Sequence, residues 1–171
     1  STFALSGLGM YLLVRELTGN TLAAFVGGLL FAFAPYRIPQ SSHLQVLSSQ
    51  WMPFAFYGIR RYFHTGRRRA LAGAATALVA EGLSCGYYLL YFSPFFAGYV
   101  LWELWRNDRW RDRRTLVDLM AAAVVVVCVT TPFVLPYVMA NESLQLSRSL
   151  SEATRLSADV YSYLTASELE R

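Results

Sequence analysis

Ten of the fifteen basic residues of this chain, all of them arginine, fall in two short clusters set between long apolar segments. The first is Arg60, Arg61, Arg67, Arg68 and Arg69; the second is Arg106, Arg109, Arg111, Arg113 and Arg114. Positive charge confined to the connections between apolar runs is the pattern of a polytopic membrane protein with its basic loops on one side. Only 15% of the 171 residues are charged and 55% are hydrophobic, whereas soluble domains carry about a quarter charged residues. The net charge of +4 does not point to nucleic acid, because the arginines flank apolar runs instead of covering a surface.

A spanning helix needs roughly 20 residues. Thr2 to Val14 is apolar but short, and a polar turn at Arg15–Asn20 follows it. Thr21 to Tyr36 is a second run, with Pro35 marking its end. The third runs from about Leu47 to Phe63; Trp51 suits an interfacial anchor, and Arg60 and Arg61 are placed to snorkel to headgroups. Ala70 to Trp105 is too long for one span: 36 residues would make a helix of about 54 Å against a hydrocarbon core of about 30 Å. Ser84-Cys85-Gly86 is the natural break, and Pro94 is expected to kink the returning helix. Leu116 to Tyr137 is the last run, and its Val124–Val127 stretch is expected to be helical because an isolated strand in lipid leaves its backbone unpaired.

These runs predict an all-α integral membrane protein of about six transmembrane helices with a polar external C-terminal tail. The division is a multi-span domain over 1–139 and a tail over 140–171, where Ser149-x-x-Glu152 and Thr165-x-x-Glu168 fit capping boxes of short helices. Six spans would put eleven arginines on one side, leaving Arg37, Arg148, Arg155 and Arg171 on the other. The arginine-rich side is assigned to the cytoplasm, and the compartment is a bacterial inner (plasma) membrane. No basic n-region precedes the first apolar run, and residue 1 already lies inside one, so the chain is expected to be an internal piece of a longer protein.

The candidate site residues sit at the external ends. Arg37 and His43 stand in a polar loop with Gln50 close by; a guanidinium fork there suits a phosphate, and a histidine suits hydrogen bonding or proton movement. Glu81, one turn from the external break, is an acid in an apolar segment, a costly and often functional placement. Tyr87 and Tyr88 follow the break and begin an aromatic set that continues to Tyr99. Glu103 is expected to pair with Arg106 along its helix, and Asp118 to benefit from a helix dipole. Cys85 and Cys128 have no metal-like spacing and read as apolar filler. No phosphate-binding loop, dinucleotide fingerprint, zinc motif or nucleophile elbow is present.

Phe33-Ala-Pro35-Tyr36-Arg37 with His43, then Gln50-Trp51-Met-Pro53, Arg60-Arg61, the Ser84–Tyr88 break, Arg148-Ser-Leu and Ser157-Ala-Asp159 together resemble a stretch of the polytopic GT-C glycosyltransferases. The resemblance implies transfer of a sugar from a polyprenyl-phosphate-linked donor to a cell-envelope acceptor on the external face. It implies membrane lipids and a lipid-linked sugar donor as partners, with no nucleic acid. The catalytic acid of such enzymes lies on a first external loop, expected upstream of Ser1. A divalent cation, where one is used, would be held mainly by residues outside this stretch, and no metal ligand is assigned here. Arg37, His43, Gln50, Glu81, Tyr87 and Tyr88 are then substrate-binding candidates. A transporter or flippase of a lipid-linked or amphiphilic substrate is the alternative, though it would more often place polar residues at mid-span. A non-catalytic membrane scaffold is the third reading; an acid on the upstream loop would separate it from the enzyme.

Overall fold

The computed structural model describes residues 2–38 and 47–143. Among them the chain forms six α-helices and one 3₁₀ turn: α1 (Thr2–Thr18), α2 (Thr21–Ala32), the turn Pro35–Arg37, α3 (Trp51–Thr65), α4 (Arg68–Ser84), α5 (Gly86–Arg106) and α6 (Arg113–Ser143). The breaks follow local chemistry. Gly19 takes a φ of 69°, and the Asn20 side chain caps α2 by accepting from the Leu22 and Ala23 N–H groups at 2.9 and 3.1 Å. Gly66, at φ 66°, closes α3 in the left-handed conformation. Cys85, in extended conformation, separates α4 from α5. Pro94 lies inside α5.

The chain divides into two compact units, Ser1–Phe133 and Val134–Arg171. In the second, the described residues 134–143 are helical; the expected short helices of the tail lie outside the described residues. In the first unit, small residues bring helices close. A Cβ on Gly28 would stand 2.8 Å from the Gly7 carbonyl, which sets α2 against α1. A Cβ on Gly58 would stand 2.8 Å from the Ala70 carbonyl and from Ala74, which sets α3 against α4. Ile59, Tyr62, Phe63, Leu71, Ala74 and Leu104 form one buried cluster. Phe56 packs edge-on against Phe92 and Tyr99, each with ring centroids 5.1 Å away. Phe92, Phe96 and Tyr99 of the aromatic set therefore pack inward, while Tyr87, Tyr91 and Phe95 are exposed.

The expectation of about six transmembrane helices is corrected. Among the described residues one helix, over Arg113–Pro136 of α6, is long and apolar enough to cross a membrane. The helices α1 to α4 have 17, 12, 15 and 17 residues, each short of the roughly 20 that a span needs. The third run, for example, becomes α-helical over Trp51–Thr65 and not from Leu47. The longer α5, with 21 residues, carries four tyrosines, Pro94 and Glu103, which dilute its hydropathy. The all-helical character stands.

Arginines of the first cluster meet acids across helices. Glu103 is fully buried and accepts from Arg60 at 3.0 Å, from the Tyr99 hydroxyl at 2.7 Å and from the Asn107 amide at 2.9 Å. Glu16 of α1 receives Arg61 at 3.0 Å and lies 3.1 Å from His64 Nδ1, both on α3. Asp118 of α6 receives Arg68 of α4 at 2.8 Å and the Tyr62 hydroxyl at 3.1 Å. Arg60 and Arg61 are thus ion-pair partners and not free headgroup ligands. Arg106, expected beside Glu103, instead lies over the Trp102 ring, 5.0 Å from its centroid.

Removing one member of a buried pair strands the other charge, at a cost of about 3–5 kcal/mol. Glu103→Leu is therefore expected to lower the melting temperature sharply, with Arg60→Met in the same chain restoring most of it. A double variant no more stable than Glu103→Leu would show that Arg60 does not need this partner.

Candidate functional site

The end of the bundle formed by the 3₁₀ turn, the start of α3, the last turn of α4 and the first turn of α5 gathers most of the candidate residues. Pro35 starts the 3₁₀ turn, and the turn delivers Arg37 inward. The Arg37 side chain is fully buried. Its Nη1 donates to Ser49 Oγ at 2.7 Å and its Nη2 to the Leu47 carbonyl at 3.0 Å. The guanidinium carbon lies 5.2 Å from the Phe3 ring centroid and 5.9 Å from that of Phe31. Its Nε is buried and has no partner among the described residues. Gln50 is buried beside it. In the orientation that satisfies both ends of its amide, it donates to the same Leu47 carbonyl and accepts from the Trp51 indole N–H, each at 3.3 Å.

Glu81 closes this end from α4. It is 1% exposed, and among the described residues neither carboxylate oxygen receives a well-formed hydrogen bond. Burial pushes its carboxyl up to about 7, with the Trp51 backbone N–H at the start of α3 opposing the rise. Burial also raises the Tyr88 phenol; Tyr36, Cys85 and Glu81 add to the rise and Arg37 opposes it. Tyr88 therefore shares one electrostatic neighbourhood with Arg37 and Glu81. Tyr87, its neighbour in the first turn of α5, is exposed. His43 lies among residues 39–46, outside the described residues.

The buried polar atoms without partners also include Ser6 Oγ and Arg60 Nε. Arg60 has its charge met by Glu103. Glu81 differs, since among the described residues it has no counter-charge and neither oxygen receives a well-formed hydrogen bond, and Arg37 differs in facing neutral oxygens and aromatic rings alone among its described contacts. Among the described residues no group of three histidine, cysteine or acidic side chains is placed to hold a metal ion. The participation of Ser49, the Leu47 carbonyl and the Trp51 N–H was not legible in the sequence. Only the run of small polar residues before Trp51 hinted at side chains able to face a buried guanidinium.

The raised Glu81 carboxyl has a consequence for stability. The folded chain binds this proton more tightly than an unfolded one, whose carboxyl titrates near 4.5. The stabilising contribution of protonated Glu81 is complete below that value and is lost as pH rises through about 7. The loss is on the order of 3 kcal/mol. The melting temperature of the protein is expected to fall between about pH 5 and pH 8, and Glu81→Gln is expected to flatten that fall. An equal slope in the variant would assign the pH dependence to other groups.

No curated protein and no solved structure matches this chain. Residues 1–167 match a family described as a domain of unknown function, DUF6311. With nearly its whole length covered by that match, the chain belongs to the DUF6311 family.

Proposed function

We propose that this chain is part of a membrane glycosyltransferase that moves a sugar from a polyprenyl-phosphate donor to a cell-envelope acceptor, at the end of the bundle that holds Arg37 and Glu81. The observation that carries the reading is a pair of buried polar groups that the described residues leave incompletely met: a guanidinium with a spare N–H, and a carboxyl with neither a well-formed hydrogen bond nor a counter-charge. Buried charge without compensation is expensive, and such groups concentrate where a ligand or proton uses them.

The chemistry fits the two groups. In sugar transfer, the acceptor hydroxyl oxygen bonds to the anomeric carbon while the bond from that carbon to the phosphate oxygen breaks. The lipid phosphate leaves with the electron pair, and a cation placed where that charge develops lowers the barrier. Arg37 supplies such a cation, and the segment bearing Leu47 and Ser49 must yield for a phosphate to reach it. The acceptor hydroxyl loses a proton, and a carboxyl titrating near 7 is ionised often enough to hold it at neutral pH.

The setting supports a membrane. Leu22, Leu30 and Phe95 are more than two-thirds exposed, whereas Arg37, Glu81 and Glu103 are buried. Apolar surface outward with charge inward is the reverse of a water-soluble domain. In this reading α6 anchors the chain in a bacterial plasma membrane, the arginine clusters face the cytoplasm, and the Arg37 end faces outward. A proton-coupled transporter of a lipid-linked substrate would use Glu81 in the same protonation range.

The full-length protein in proteoliposomes, supplied with a labelled polyprenyl-phosphate sugar, distinguishes these. An enzyme releases polyprenyl phosphate, whereas a transporter leaves the sugar–phosphate bond intact. Arg37→Ala is expected to lower transfer about a hundredfold, and Glu81→Gln to lower it with loss of the rise in rate near pH 7, both without loss of membrane insertion. Unchanged transfer in both variants would remove this end of the bundle from the site.

A further inference from the structure

A cavity lies along the groove between α4 and α6, lined by neither Arg37 nor Glu81. It has a volume of about 700 Å³ and is lined by Leu71, Ala75 and Val79 on one side and Val117, Ala121 and Val125 on the other. The two helices run parallel here: Arg68 meets Asp118 at one end, and a Cβ on Gly82 would meet Thr130 Cγ2 at the other. From Val117 to Val129, the last α6 residue lining it, the groove is about 18 Å long. One leaflet contributes roughly 15 Å of a hydrocarbon core of about 30 Å. The groove is therefore apolar, open along its side and close to one acyl chain in length.

Charge at one mouth names the kind of chain. Arg68 holds Asp118 while its own side chain stays 68% exposed. Arg114, also exposed, is close enough to add to the positive field on the same carboxylate. Two guanidiniums against one carboxylate leave a positive charge over. Arg67, Arg69 and Arg113 are exposed beside them in sequence and make no ion pair among the described residues. Trp110, an aromatic suited to the interface, is exposed at the same connection. An apolar groove that opens on surplus arginine complements a lipid whose headgroup is anionic, and it offers a zwitterionic one no comparable gain.

We propose that the α4–α6 groove binds one acyl chain of an anionic phospholipid, with the lipid phosphate held at Arg114 and Arg68. This site stands at the arginine end and does not depend on sugar transfer at the other.

The test is photocrosslinking of the full-length protein in nanodiscs, using phosphatidylglycerol and phosphatidylcholine that carry the same diazirine-bearing acyl chain. Crosslinks from phosphatidylglycerol are expected on residues 72–79 and 121–129, about fivefold above those from phosphatidylcholine. Ala121→Phe, which fills the groove from an exposed position on α6, is expected to abolish these crosslinks while labelling elsewhere persists. Arg114→Gln, a surface change that keeps the test decisive where the phenylalanine variant does not fold, is expected to erase the preference for phosphatidylglycerol without altering phosphatidylcholine labelling. Equal labelling by the two lipids, crosslinks mapping mainly outside the groove, or an unchanged preference in Arg114→Gln would each overturn the proposal.

Discussion

An ionised group taken out of water needs a counter-charge, a set of hydrogen bonds, or a change of protonation state. That requirement organises the arginine end of this bundle. Glu103, buried at the C-terminal end of α5, collects Arg60 from α3, Tyr99 from its own helix and Asn107 from that helix's C-cap. Glu16 ties α1 to α3 through Arg61 and His64, and Asp118 ties α6 to α4 through Arg68 and to α3 through Tyr62. Three acids on three helices thus fix the relative positions of five. The close approach at Gly58 sets α3 against α4, the two helices whose Tyr62 and Arg68 converge on Asp118.

The opposite end does not follow that scheme. Among the described residues its acid, Glu81, has no arginine against it, and its arginine, Arg37, has no acid. The chain can complete buried pairs, as Arg60 and Glu103 show, so the unpaired state at this end is not a general weakness of its packing. A fold selected for stability alone would gain from apolar residues at both positions. The retention of two unmet groups in one neighbourhood is what separates this end from the rest.

Local chemistry made the helix breaks legible. Gly19-Asn20, Gly66 and Cys85 each act through a positive φ, a side-chain cap or an extended residue, and such features depend on a few adjacent residues. The number of spans was not legible in the same way. An apolar run counts residues, whereas a span requires that they all be helical and uniformly apolar; Pro35 ends α2 early and Glu103 lies within α5. The ion pairs were hidden for a related reason. Periodicity offers Arg106 to Glu103, three residues away, but the partner supplied by the fold is Arg60, 43 residues distant in sequence. Glu81 could be singled out because an acid in an apolar segment is visible in sequence alone, and Arg37 because it is the one charge in a polar loop. Their shared neighbourhood could not, since the turn after Cys85 and the start of α3 create it.

Arg37 and Glu81 meet the cost of burial by opposite routes. A guanidinium cannot shed its proton in a protein, so Arg37 must gather what neutral partners can offer: a hydroxyl, a carbonyl and the faces of two phenylalanines. A carboxyl can take a proton up, and the rise of Glu81 to about 7 is that solution expressed as an equilibrium. The first group is left wanting an anion and the second wanting a hydrogen-bond donor. A ligand that carries a phosphate and a hydroxyl has both, and its binding would exchange two separate desolvation costs for a single set of charge-assisted contacts. That complementarity, more than any one distance, is what the proposal of phosphate-linked sugar chemistry rests on.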